Sequence, residues 1–181
     1  MPDPLIVAYV TGVTPTKWQR EWRERRPLGR LDLVPLPQHA ALAALDDGTA
    51  HMALVRDTSA DEQWHAIELY RESPVVIAAR GSLVASLDEL TLGDLAGETL
   101  LPLDLLEGSG DDTIELVAAN VGVAVMPQSV ARALSRKDVV ARPLRDAPDT
   151  AISLVWPIEG AHPLCDEFIG IVRGRTANSS R

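Results

Sequence analysis

Apolar positions recur with two periods along this chain, and the switches between them predict its elements. Residues 5–11 (LIVAYVT) are alternating and β-branched, as in a strand. Thr14-Pro15 then opens a helix, with Thr14 as N-cap and Pro15 pre-set for the first helical position. Trp18 and Trp22 lie four apart on one face of that helix, which the sequence RPLG at 26–29 ends. A second strand follows at 31–36, an Ala/Leu-rich helix at 38–47 with Gly48 at C′, a buried strand at 52–55 and a polar loop at 56–63. Strands at 66–70 and 75–79 are split by Glu72-Ser73-Pro74, and a proline there fits a turn or an edge rather than a central strand. Residues 87–96 read as helical turns led by Ser86 or Thr91, 99–103 as a strand, and 105–112 as a loop around Gly108-Ser109-Gly110.

The stretch ELVAANVGVAVMP at 115–127 compresses a helix, a corner at Asn120-Val121-Gly122 and a four-residue strand stopped by Pro127. The corner either holds a ligand or is plain wiring between the two elements. A helix at 129–136, strands at 139–144 and 152–156, and an amphipathic helix at 163–173 complete the pattern, with a disordered tail expected at 176–181. Alternation of this kind predicts an α/β protein with mostly parallel sheets. Residues 81–149 interrupt what would otherwise be one sheet. The expected organisation is a first lobe of 1–80 with 150–175, a second lobe of 81–149, and a cleft between them. In open α/β sheets the ligand crevice lies outside the carboxyl ends of the strands.

Composition narrows the function classes. The chain has 181 residues, 46 % of them hydrophobic, which suffices for a core. No apolar run reaches the roughly 18 residues of a membrane span, and the N-terminal stretch lacks the basic region and cleavage site of a signal peptide. The single cysteine, Cys165, excludes an intrachain disulfide framework and a cysteine-based zinc site. These features point to the cytoplasm and against a secreted solute-binding protein. The net charge of −9 disfavours nucleic acid as a direct partner. A basic cluster of Lys17, Arg20, Arg23, Arg25, Arg26 and Arg30 is interleaved with Glu21 and Glu24, as on a solvated helix face.

Several segments, in order, resemble one family. LDLVPLPQHAALAALDDGTAHMALVRD, ESPVVIAARGSLVAS, LTLGDLAGETLL, ELVAANVGVAVMPQSVAR and LVWPIEGAHPLCDEFIGIVR are similar to stretches of the effector-binding (substrate-binding) domain of LysR-type transcriptional regulators. The resemblance runs from about Leu5 to Arg173 and implies a two-lobed, type 2 periplasmic-binding-protein-like fold. Two departures accompany it. The family's winged helix-turn-helix has no counterpart in the sequence; Met1 and the tail favour a complete small protein over a trimmed one. The second lobe is shortened, with PLDLLEGSGDD standing where the family has a further helix and strand. The resemblance makes the Asn120-Val121-Gly122 corner mostly wiring.

Candidate ligand contacts lie at helix starts. Thr11, Gly12, Thr14 and Thr16 join the first strand to the first helix, where free N–H groups and the helix dipole suit an acid group; simple capping by Thr14 is the bland alternative. Gln38 and His39 open the second helix. Arg56, followed by Asp57, ends the third strand and can clamp a carboxylate, or pair with its neighbour. Ser109, Asp111, Asp112 and Thr113 precede the second lobe's helix, with either aspartate a candidate cap. Trp18 and Trp22 form either an inter-subunit stripe, as the resemblance implies, or core. The histidines lack zinc spacing, the acidic run lacks a calcium loop, and no serine has a nucleophile setting, so no metal, cofactor or catalytic residue is expected. The expected function is a non-enzymatic sensor of a small organic acid with a role related to transcription regulation. It would act as a homodimer or as a mixed dimer with a related regulator. The alternatives are an interaction module without ligand, and a lyase or transferase on the same fold.

Overall fold

The computed structural model describes residues 3–174, and the tail expected at 176–181 lies outside them. The chain divides into two compact units, the first running up to Tyr70 and resuming at Ala151, the second spanning Arg71–Thr150.

In the first unit, β1 (Leu5–Tyr9), α1 (Thr16–Arg25), β2 (Leu31–Pro35), α2 (Gln38–Asp46) and β3 (Met52–Arg56) follow one another as the apolar periods predict. With β4 (Trp64–Glu72) and the returning β8 (Thr150–Pro157) they build a five-stranded sheet of order β2-β1-β3-β8-β4. β1 is parallel to both β2 and β3, while β8 is antiparallel to β3. All of β3 is buried, the near-continuous apolar run of a strand covered on both faces. α2 ends as the sequence requires, since Gly48 takes φ 75° past the Asp47 cap. α1 and α5 (Cys165–Val172) pack together, with the Trp22 and Phe168 rings 6.2 Å apart and tilted by 59°.

The second unit holds β5 (Pro74–Ala79), α3 (Asp111–Ala118), β6 (Ala124–Pro127), α4 (Gln128–Ala133) and β7 (Val139–Pro143). Its sheet runs β6-β5-β7 and both pairings are antiparallel, so the expectation of mostly parallel sheets holds only for β2-β1-β3. The cause is connectivity: β6 and β7 each return beside β5 without the same-direction crossover that a parallel pair needs. β5 is central, and Pro74 is tolerated because it is the strand's first residue. Period-two alternation supplies both faces of the sheet. Val75 and Ile77 pack with Ile114, Val117 and Met126, whereas Val76 and Ala78 pack with Val84, Leu90 and Leu95. These pairings place β5 in the second unit, which moves the first boundary from 80/81 to 70/71. The helical turns expected at 87–96 are 3₁₀ turns at Val84–Ser86 and Leu92–Leu95, the latter capped by Thr91 with Asp94 in a capping box.

Three local expectations are corrected. Residues 99–103 form no strand, only an isolated bridge between Leu100 and Val123. Pro15, not Thr14, occupies the N-cap of α1, and no side chain caps it. Neither Asp111 nor Asp112 caps α3; both sit in its first turn behind Gly110 at φ 89°.

The 115–127 stretch resolves into packing. α3 ends in a Schellman motif: Asn120 N–H donates to Val117 O at 2.9 Å and Val121 N–H to Leu116 O at 3.0 Å, with Asn120 left-handed at φ 57°. Gly122 is then pressed against the Thr99–Leu101 segment, where a Cβ would overlap the Thr99 carbonyl oxygen.

Candidate functional site

The parallel register places three strand ends side by side, with Tyr9 opposite both Pro35 and Leu54. Leu36 N–H to Tyr9 O at 3.0 Å and Val10 N–H to Leu54 O at 3.1 Å carry the alignment one residue further. The chain then turns through Val10–Val13, closed by Val13 N–H to Val10 O at 3.2 Å with Gly12 at φ 91°, a conformation that favours glycine. This turn delivers the start of α1 to the carboxyl edge of the sheet. Pro37 delivers the start of α2 to the same edge. Neither helix has an acidic residue in its first turn. Their leading N–H groups and positive dipole ends therefore face no local carboxylate, a setting that favours an anion.

Thr11 is half-buried on this rim, and Thr14 and Thr16 are exposed. Gln38 does more than open α2. Its side-chain N–H donates to Arg56 O at 2.9 Å, and its amide oxygen accepts from Arg56 N–H at 2.9 Å. Thr58 adds a third bond, from its hydroxyl to Arg56 O at 2.9 Å. Arg56 is buried, 6 % exposed, on a backbone fixed from both sides. Asp57 is tied to the start of β8: its N–H donates to Ala151 O and its carboxylate accepts from Ala151 N–H, both at 2.9 Å.

The structure thus brings Thr11, Thr14, Thr16, Gln38 and Arg56 to one edge of the first unit. Ser109 and Thr113 belong to the second unit and are committed locally. Ser109 hydroxyl bonds the Asp111 carboxylate, and Thr113 hydroxyl donates to Pro102 O at 2.8 Å. A cavity of about 260 Å³ lies there, but Asp104, Asp111 and Asp112 line it, which opposes an acid ligand.

Trp22 is fully buried, and its indole N–H donates to Gly29 O at 2.9 Å. It is part of this chain's own core, which corrects its assignment to an inter-subunit stripe; Trp18 is half-buried against the same core. Half of the basic cluster is paired, Arg25 with Glu21, Arg26 with Glu167 and Arg30 with Asp32. Among the described residues no group of three or more His, Cys, Asp or Glu is arranged to hold a metal. No described helix is long and apolar enough to cross a membrane.

This two-unit α/β architecture is a class of fold that effector-binding domains share. Within that class the LysR substrate binding domain matches residues 14–112 and 108–177, and the chain belongs to this family. It is a family of transcriptional-regulator effector-binding domains, which are not enzymes. The fold is similar to a mutant OxyR regulatory domain from Pseudomonas aeruginosa, at 17 % identity and TM-score 0.75, covering 96 % of this chain and 97 % of that one. It is also similar to the BenM effector binding domain with its effector benzoate, at 17 % identity and TM-score 0.77, covering 96 % and 92 %. A Corynebacterium glutamicum OxyR mutant matches at 21 % identity and TM-score 0.77, and there the chain covers 96 % of itself but 64 % of the relative. No curated protein is a significant match.

Proposed function

We propose that this domain is a non-enzymatic, cytoplasmic sensor of a small organic acid. In this reading the acid group docks on the carboxyl edge of the first unit. The observation that carries it is the convergence of two acid-free helix starts with Arg56 at that edge. Thr11, Thr14 and Thr16 supply hydroxyl donors, Arg56 the cation, and Gln38 the clamp that holds the Arg56 backbone. The benzoate effector of the similar BenM domain is an acid of this size, which supports the class of ligand. Output passes through association, as a homodimer or as a mixed dimer with a related regulator, and so bears on transcription.

The test is thermal stability against a panel of small carboxylates, for the wild type and a Thr14→Ala/Thr16→Ala double variant. A ligand at about 100 times its dissociation constant adds about 2.7 kcal/mol. A rise in melting temperature that the double variant loses supports the reading. A broad panel without a rise overturns it and favours the module without ligand; a rise that the double variant keeps overturns the placement of the acid at the first helix start.

A further inference from the structure

A pocket of about 610 Å³ lies within the second unit, where β5 ends, β7 begins and α3 has finished; Arg80, Gly81, Ser82, Asn120, Lys137 and Asp138 line it. Arg80 Nε donates to Lys137 O at 2.6 Å, which joins two cationic residues 57 positions apart. One carboxylate, Asp138, also lies in the lining and is shared, acting on Arg80 as well as on Arg136. Asp138 accepts from Arg136 through both oxygens, at 2.9 and 2.8 Å, and that pairing holds its pKa below the usual range. Among the described residues the Lys137 ammonium meets no acceptor. Neutral donors accompany the cations. Ser82 Oγ accepts Ala85 N–H at 3.2 Å and keeps its proton to give, and Asn120 adds an amide. Gly81, at φ 90° with open space where a side chain would stand, leaves the backbone uncovered.

We propose that this pocket binds the phosphoryl group of a small phosphate monoester. Arg80, Lys137 and Arg136 around the single Asp138 carboxylate leave an excess of positive charge that favours a multiply charged anion. A guanidinium, an ammonium, a hydroxyl and an amide together suit the several acceptor oxygens of a phosphoryl group. The site is separate from the carboxyl edge of the first unit and gives the domain a second anion input.

The test is calorimetric titration of the full chain with inorganic phosphate and phenyl phosphate, with acetate as the monoanion, at low ionic strength. The variants are Arg80→Gln, Lys137→Gln and, as a control for overall charge, Arg145→Gln. Expected is saturable phosphate binding, weaker by about tenfold in each pocket variant and unchanged in the control. It also weakens with added salt, and phenyl phosphate binding weakens below about pH 6 as the monoester dianion protonates. Phenyl phosphate binding alongside inorganic phosphate supports a monoester site; binding of inorganic phosphate alone overturns that part. Absence of saturable binding, equal binding of acetate, or an equal loss in Arg145→Gln overturns the proposal. So does a result in which Arg80→Gln and Lys137→Gln merely lower the melting temperature in phosphate-free buffer, since the cations would then serve only the C-terminal end of α3. The Thr14→Ala/Thr16→Ala variant must bind phosphate normally, which separates failure here from failure of the organic-acid reading.

Discussion

Gly122→Ala tests whether the corner after α3 is structural. Gly122 is not left-handed, so its need for glycine comes from contact and not from backbone conformation. A Cβ there would overlap the Thr99 carbonyl oxygen and come within 3.1 Å of Leu101 Cγ. That carbonyl accepts Val123 N–H at 2.9 Å, and Leu101 N–H in turn donates to Val123 O at 2.8 Å. Relieving the overlap moves the Thr99–Leu101 segment and strains both bonds. Each bond is worth about 1 kcal/mol net, and over-packing adds about 1–3 kcal/mol. The expected destabilisation is therefore roughly 3–5 kcal/mol. For a chain of this size that lowers the melting temperature by roughly 10 °C. Gly97→Ala is the control, because its Cβ meets nothing within 4 Å; it should stay within about 0.5 kcal/mol of wild type. Urea unfolding followed by circular dichroism reads both variants, with an unchanged m-value required for the comparison. If Gly122→Ala unfolds within about 1 kcal/mol of Gly97→Ala, the close approach is not holding the segment and the reasoning fails.

Trp22→Ala should cost about 3–5 kcal/mol in urea unfolding, because it empties a fully buried site beside Phe168 and orphans the Gly29 carbonyl; a loss under about 1 kcal/mol would refute its core role. Burial pushes the Cys165 thiol up to about 11, so a disulfide reagent at pH 8 should label the native chain far more slowly than the urea-unfolded one, and equal rates would contradict that burial. His51 Nδ1 accepts Ile6 N–H at 3.0 Å, and its ring lies 4.3 Å from that of His162, whose Nδ1 accepts Leu164 N–H at 3.2 Å. Burial, followed by His162, lowers the His51 pKa against the opposing pull of Asp3. The fold thus favours the neutral ring: the stabilisation is present above the unfolded value of about 6.5 and is lost as pH falls through the folded one. Unfolding free energy should drop between neutral and mildly acid pH, and His51→Gln should remove part of that slope; an identical slope in the variant would refute the linkage.

What was legible in the sequence was what local chemistry decides. The Gly48 stop of α2, the Thr91 cap and the strand at 75–79 are settled within a few residues, and each stands where the pattern placed it. What was not legible depended on partners far along the chain. Pro74 reads as a break until β6 and β7 take their places on either side of β5. Residues 99–103 have the apolar character of a strand, but only Leu100 finds a bridge partner, Val123. Gln38 reads as a free amide at a helix start, and its partner is a main-chain group 18 residues away. The Arg80–Lys137 pairing joins an exposed arginine to a lysine in an ordinary charged run, and no spacing rule connects them.

The Gln38 clamp changes how the candidate edge would work. An amide that bonds both the N–H and the carbonyl of Arg56 is committed to the scaffold, so in the proposed site Gln38 would act on a ligand mainly through the residue it holds. The next residue reinforces this. Asp57 is a non-glycine at φ 45°, a conformation that costs free energy unless surrounding bonds over-determine it. Two hydrogen bonds to Ala151, from the N–H and to the carboxylate, do so. The end of β3 is therefore gripped from α2 on one side and from the start of β8 on the other. A strand end fixed in this way leaves Arg56 little backbone entropy to lose, so in the proposed site it would discriminate between acids by position as well as by charge.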